Sequence, residues 1–247
     1  MAAVIVQPHI AISCLETEDA LRAAGYTLIA GVDEVGRGCW AGRVYAGAVI
    51  LPDRCYDDRT LLAEVTDSKL LTPVTRERLA RDVLDLAIAG AVGWAEPALV
   101  DRLNVLGATR RAMAAAISCL GGPAEDHGPG WGARRVSRGA VAPDYVLVDA
   151  VKLPDVPLPQ RAVIRADSSC LAVAAASILA KVTRDAEMRC LPARYAPYDF
   201  ASNKGYASRK HAEALRTHGV TPLHRRSYAP VRLFVGVRDH VAGALPA

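Results

Sequence analysis

Four carboxylates stand where apolar runs of the chain stop. Asp33 and Glu34 follow "YTLIAGV", Asp149 closes "DYVLVD", and Asp167 closes "AVIRAD". Neighbouring strands of a sheet lie ~4.8 Å apart, so acids at matching strand ends repel unless a cation sits among them or some are protonated. A donor set of oxygens without His or Cys favours Mg²⁺ or Mn²⁺ over zinc. Two such ions ~3.5–4 Å apart can activate a water and stabilise the leaving oxygen in phosphodiester cleavage. Taken singly, each acid also reads as a turn residue or helix cap, and Asp167 ahead of Ser168 and Ser169 has the look of a cap. The turn Gly36-Arg37-Gly38 comes directly after the first pair of acids. Alone it is a tight hairpin; beside metal ligands, its bare backbone can come close to a sugar or phosphate.

The elements that must position these groups follow from periodicity. Residues 26–33 and 43–51 read as strands joined through the glycine turn, and 90–95, 144–149 and 162–167 as three more. Thr72 with Pro73 opens a helix that places Leu79, Val83 and Leu86 on one face. A second helix spans about 97–120 with Gly107 weakening its middle, and a third about 169–188, where Ala174, Ala175 and Ala176 permit close packing on the sheet. Ser208 caps a last helix that Gly219 ends. Residues 121–142, rich in Gly and Pro, are expected to be a flexible surface loop. This order predicts an α/β fold, a mixed sheet flanked by helices. Pairing the first strand in parallel with "DYVLVD" would bring Asp33 and Asp149 side by side at carboxyl ends, where open α/β sheets bind ligands.

Composition narrows the class. The 247 residues, 51% of them hydrophobic, can bury a substantial core, yet no run approaches the ~18 uncharged apolar residues of a membrane span. The N-terminus lacks the order of a secretory signal, so a cytoplasmic protein is expected, with no membrane partner. The six cysteines form no C-x-x-C pair, which predicts reduced, mostly buried thiols. Net charge is +4, but between Pro197 and Arg232 seven Lys/Arg face two acids, so that segment alone carries +5. A polyanion is the natural partner of such a segment, a solvated basic face its plainer reading. A purely binding module, with the acids as caps and turns, is the alternative to an enzyme. The P-loop pattern G-x-x-x-x-G-K-[ST] is missing, which weakens a nucleotide-triphosphate reading.

The segments "GVDEVGRG", "TDSKLLT", "DYVLVDAVKLP", "ADSSCLAVAAASILAKVTRDAEM" and "NKGYASRKHAEALRTHGVTPLHRRSY", in this order, resemble bacterial ribonuclease HII from about Ile29 to Val231. The resemblance implies an RNase H-like fold, a five-stranded mixed sheet with helices on both faces and a C-terminal helical region that clamps the duplex. It divides the chain into an N-terminal extension (1–25), a catalytic domain (26–195, with 121–142 as an insertion) and a basic C-terminal region (196–247). It implies a Mg²⁺- or Mn²⁺-dependent endonuclease, acting as a monomer on RNA–DNA hybrids and, preferentially, 5′ of single ribonucleotides in duplex DNA. Products would carry 3′-hydroxyl and 5′-phosphate ends, as ribonucleotide excision repair and primer removal require. Asp33, Glu34, Asp149 and Asp167 would be the catalytic, metal-binding carboxylates. The backbone of Gly36, Arg37 and Gly38, with Tyr206, would recognise the 2′-hydroxyl. Lys69 would meet the nucleic-acid backbone, whereas Lys181 has Asp185 as an alternative partner at i+4. His224 is expected to pack or hydrogen-bond, and Arg225 and Arg226 to be structural or phosphate-facing. Departures from the family's usual pattern are Cys39, Trp40 and Arg43 around the turn, Ala150-Val151 after Asp149, Ala166 before Asp167, Gly107 in place of Gln, and the long 121–142 segment.

Overall fold

The computed structural model describes residues 15–122 and 130–236. In chain order the elements are α1 (Glu16–Ala23), β1 (Ile29–Val35), β2 (Val44–Ile50), α2 (Arg54–Asp57), α3 (Pro73–Leu86), β3 (Ala89–Ala95), α4 (Pro97–Gly121), β4 (Trp131–Arg135), β5 (Tyr145–Asp149), β6 (Gln160–Val163), α5 (Leu171–Arg189), α6 (Phe200–Asn203), α7 (Arg209–His218) and α8 (Ala229–Arg232). Short 3₁₀ turns cover Ala166–Ser168 and Ala193–Tyr198.

The strands form one mixed sheet in the order β4-β3-β2-β1-β5-β6. β1, β2, β3 and β4 pair antiparallel in succession, while β5 pairs parallel with β1 and β6 parallel with β5. The sheet therefore has six strands among the described residues, not five. The extra one, β4, lies within the segment expected to be a loop. "WGARR" carries no apolar alternation because it is an edge strand with a single partner, β3; residues 123–129 of that segment lie outside the described residues.

Helices cover both faces. α4 packs with β1 to β4 on one side, over Ala46, Ala48, Ala91 and Ala95. α5 lies on the other, against β1 and β2, with α3 beside it. Two strand glycines let α5 sit unusually low. A Cβ on Gly31 would come within 2.1 Å of the Ala172 carbonyl carbon, and one on Gly47 within 2.2 Å of the Ala176 oxygen. Ala174, Ala175 and Ala176 are all buried, as their size predicts. Thr72 caps α3 by accepting the Thr75 N–H at 3.2 Å, and Ser208 caps α7 by accepting the His211 N–H at 3.1 Å, both as expected.

Three local expectations change. α4 breaks at Asn104 (φ 61°, ψ 171°) rather than at Gly107, because the Asn104 Oδ1 accepts the N–H groups of Leu106 and Gly107 at 2.9 and 3.1 Å and restarts the helix. β6 stops at Val163, so Asp167 sits in a 3₁₀ turn entered through a left-handed Arg165 (φ 56°), not at a strand end. The start of α5 is capped by Glu18 of α1, which accepts from Leu171 N and Ala172 N at 3.1 and 2.9 Å; Asp167 makes no such bond. A separate apolar cluster of Met188, Tyr198, Phe200, Leu215, Val220 and Val231, with Ala41 from the main body, binds the C-terminal region to the end of α5.

Candidate active site

Parallel register builds the centre of the site. Val32 of β1 lies opposite Val148 of β5, so Asp33 and Asp149 come next on adjacent strands. β1 runs on to Val35, and both Asp33 and Glu34 are strand residues. One carboxylate oxygen from each of Asp33, Glu34 and Asp149 lies within 4.8 Å of the other two. Burial pushes the Asp33 carboxyl well above the usual range, and the charges of Glu34 and Asp149 add to it; a hydrogen bond from Ser177 pulls the other way. Burial likewise raises Glu34, opposed by Arg37, whose Nη1 donates to Glu34 Oε1 at 3.3 Å. Asp149 is also raised by burial, while its Oδ1 accepts the Ala166 N–H at 2.8 Å.

Asp167 stands apart from this triad but lines the same cavity as Asp149, a space of about 440 Å³ bounded also by Asp67, Lys69, Arg165 and Ser168. Lys69 reaches over it, with Nζ 3.5 Å from Asp167 Oδ2 and 3.9 Å from Asp67 Oδ1. Its loop is held by buried Arg76, which donates to the carbonyls of Ser68 and Leu71 at 2.9 and 2.8 Å. Lys181 makes the alternative bond foreseen for it, 2.8 Å to Asp185.

The donor set fits a divalent cation. Three convergent carboxylates, all raised chiefly by burial with neighbouring acids adding to it, are relieved by positive charge, and Glu34 Oε2 is buried without a hydrogen-bond partner.

The glycine turn lies next to the acids and is held from beneath by two buried arginines that sequence reasoning underrated. Arg184 of α5 donates to the carbonyls of Arg43, Lys204 and Ala41 at 3.1, 2.8 and 3.2 Å. A Cβ on Gly36 (φ 92°) would fall 2.4 Å from the Arg184 Nε, so only glycine fits above it. Arg225 is fully buried, which makes it structural; Arg226 is exposed, and its backbone N–H is taken by Asp101 at 2.9 Å. Tyr206 is 39% exposed, with the guanidinium of Arg184 5.7 Å and the Lys181 Nζ 5.9 Å from its ring centre. The Gly205 carbonyl accepts the N–H groups of Trp40 and Ala41, which ties the "NKGY" loop to the glycine turn. His224 is buried and hydrogen-bonded, as expected.

The architecture is shared with the ribonuclease H2 of Pyrococcus horikoshii OT3 (TM-score 0.61, 24% identity, 83% of this chain and 96% of that one). It is shared also with Bst-RNase HIII, solved in complex with Mn²⁺ (TM-score 0.59, 18% identity, 88% of this chain and 72% of that one). The sheet, with acids gathered at its centre, defines the class by its architecture as an RNase H-like fold. The family model for ribonuclease HII matches residues 30–231. Ribonuclease HII of Roseiflexus castenholzii is 45% identical over 217 residues (88% of each chain), and that of Dichelobacter nodosus 46% identical over 204 residues (83% of this chain, 95% of the relative). The chain belongs to the ribonuclease HII family, hydrolytic endonucleases that act on RNA–DNA hybrids. Among the described residues no helix is long and apolar enough to cross a membrane.

Proposed function

We propose that this ribonuclease HII cuts on the 5′ side of a ribonucleotide embedded in duplex DNA, leaving 3′-hydroxyl and 5′-phosphate ends for ribonucleotide excision repair and primer removal. Asp33, Glu34 and Asp149 hold the divalent cation, Mg²⁺ or Mn²⁺, with Asp167 completing the acidic wall. The observation that carries this reading is the joining of acids to turn: Glu34 and Arg37 meet at 3.3 Å, so a sugar lying against the turn has its phosphate beside the carboxylates. The fold neighbour solved with Mn²⁺ supports trying both ions.

When bound, the cation offsets the charge of the phosphate and makes a water more acidic. The chain's own groups orient the reactants. Asp33 is oriented by its own Oδ1, which accepts the Glu34 N–H at 2.7 Å, with Ser177 favouring its charged form, so this carboxylate is placed before substrate arrives. Lys69, its side chain 76% exposed above Asp167, contacts a phosphate of the strand being cut. The backbone of Gly36, Arg37 and Gly38 meets the 2′-hydroxyl. Tyr206 lays its ring against the following sugar and disfavours a second hydroxyl there, which selects the junction with DNA. Exposed Arg209, Lys210, Arg216, Arg226 and Arg232 give the region 196–247 a basic face for clamping the duplex, beside a catalytic body of 26–195. Action as a monomer belongs to the same proposal, and buried thiols at Cys39, Cys55, Cys119 and Cys170 suit the reducing cytoplasm.

The test is an end-labelled duplex with one ribonucleotide, an all-RNA strand on DNA, and Asp33→Asn beside the wild type. The expected result is a single cut 5′ of the ribonucleotide, faster than on the long hybrid, and lost in the variant. Preference for the long hybrid would overturn the junction reading.

A further inference from the structure

The Arg37 carbonyl oxygen is held by two side chains from the far end of the chain. Arg225 Nη1 donates to it at 2.9 Å, and the Tyr228 hydroxyl donates to it as well. The two donors also touch each other, Arg225 Nη1 to Tyr228 Oη at 3.1 Å. The remaining nitrogens of Arg225, Nε and Nη2, both donate to the Gly42 carbonyl at 3.1 and 2.9 Å. A fully buried guanidinium bound to carbonyls and a hydroxyl, with no carboxylate among these contacts, is costly to desolvate. What it delivers is geometry, since it ties the glycine turn, at Arg37, to the far end of the β1–β2 connection, at Gly42.

The segment carrying these donors is itself pinned. The Asp101 carboxylate of α4 accepts the N–H groups of Arg226 and Ser227 at 2.9 and 2.8 Å, and Arg225 N–H donates to the Trp40 carbonyl at 2.9 Å. Peptide units are planar, and no cis bond occurs among the described residues. In a trans unit the C=O and N–H point in opposite directions. With the Arg37 oxygen drawn inward to Arg225 and Tyr228, the N–H of the same unit, that of Gly38, is turned outward. Gly38 is exposed, and a Cβ there would meet nothing within 4 Å, so the space in front of this peptide is open to a ligand.

We infer that Arg225 and Tyr228 are positioning residues that aim the Gly38 N–H at the 2′-oxygen of the ribonucleotide, and so set the preference for ribose over deoxyribose. This rests on the reading that the glycine turn meets the sugar. Tyr228 is the cleaner probe because its ring packs on the core with or without the hydroxyl.

The experiment measures binding in the Asp33→Asn background with Mg²⁺, using one duplex with a single ribonucleotide and the same duplex in all-DNA form. The background is expected to prefer the first. Adding Tyr228→Phe should lower that preference about fivefold, the effect of losing one of two hydrogen bonds on the carbonyl, with affinity for the all-DNA duplex unchanged and the melting temperature lowered only slightly. Arg225→Lys, which keeps the charge but cannot bridge Arg37 and Gly42, should lower it further. An unchanged preference in Tyr228→Phe, or an equal loss on both duplexes, would overturn the inference. Gly38→Ala in the same background separates this from the reading beneath it. If Gly38→Ala weakens the preference and Tyr228→Phe does not, the aiming role fails while the turn keeps its contact. If the background shows no preference, or Gly38→Ala leaves it intact, the contact itself is wrong and the inference falls with it.

Discussion

The Nε2 atoms of His211 and His224 lie 3.0 Å apart and share one proton, whose owner the neighbours decide. The Thr221 N–H can only donate, and it faces His224 Nδ1 at 2.9 Å, so His224 carries its proton on Nε2. The Tyr206 carbonyl can only accept, and it faces His211 Nδ1 at 2.9 Å, so His211 is protonated there and receives at Nε2. A directed chain thus runs from Thr221 to the backbone of Tyr206, with both rings neutral.

Burial lowers both histidines, His224 to about 3, helped by the repulsion that a second proton would meet from its partner ring and from Arg226. Their folded values lie below the unfolded one near 6.5. The unfolded chain therefore binds protons that the folded one refuses, and this contribution to stability is lost as pH falls below 6.5, at about 1.4 kcal/mol per unit for His224 alone. Denaturant midpoints at pH 4.5 and 7 should differ more for the wild type than for His224→Gln.

Glu18 has the opposite sign. Burial pushes its carboxyl up to about 7 in spite of the two backbone N–H groups it accepts. The folded state then binds a proton more readily than the unfolded state, and the stability that this gives is lost as pH rises from about 4.5 to 7. The wild type should lose roughly 2–3 kcal/mol of stability between pH 4.5 and 8, and Glu18→Gln, which cannot ionise and keeps only one acceptor oxygen for the two N–H groups, should lack that loss. An equal loss in both proteins would show that the N–H groups of α5 compensate the buried charge in full.

Asp33→Asn should move activity and stability in opposite directions. Removing one acid from a buried, mutually repelling triad relieves crowding, so in chelator at pH 8 the variant should gain about 1 kcal/mol in denaturant unfolding. Cleavage with Mg²⁺ should fall by about three powers of ten, while duplex binding, carried by surface cations, should change by less than about threefold.

Ala150, next to Asp149, holds a left-handed φ of 50°. That conformation strains any residue with a Cβ. Ala150→Gly should stabilise by about 0.5–1 kcal/mol, since relief of strain exceeds the added entropy of the unfolded chain. Differential scanning calorimetry checks it.

Much of the site was readable because it depends on local pattern. Apolar runs ending in acid located Asp33 and Asp149, and the parallel pairing of β1 with β5 followed from the order of elements. Thr72-Pro73 and Ser208 announced their helices because capping is a contact within one turn. What escaped was non-local or unpatterned. The bonds of Arg184 and Arg225 to Arg43, Gly42 and Arg37 span 141, 183 and 188 residues, and no spacing in the sequence marks them. Glu18 caps a helix 153 residues away. β4 hides among glycines because a one-sided edge strand needs no apolar alternation, and the strand read from "AVIRAD" overruns to Asp167 because Ile164 to Asp167 keep an apolar–polar alternation for four residues past the point where β6 ends.

The low seat of α5 has a consequence for how the protein can change over time. One helix, bedded on Gly31 and Gly47, touches Glu18 at its start, Asp33 through Ser177, the glycine turn through Arg184, and the C-terminal cluster through Met188. Each added or missing residue would rotate everything beyond it by about 100° and slide it about 1.5 Å. Point replacements along this rod are negotiable one at a time, but its length is a ruler that all the working parts read together, so an insertion or deletion between 172 and 188 would put every one of them out of register in a single event.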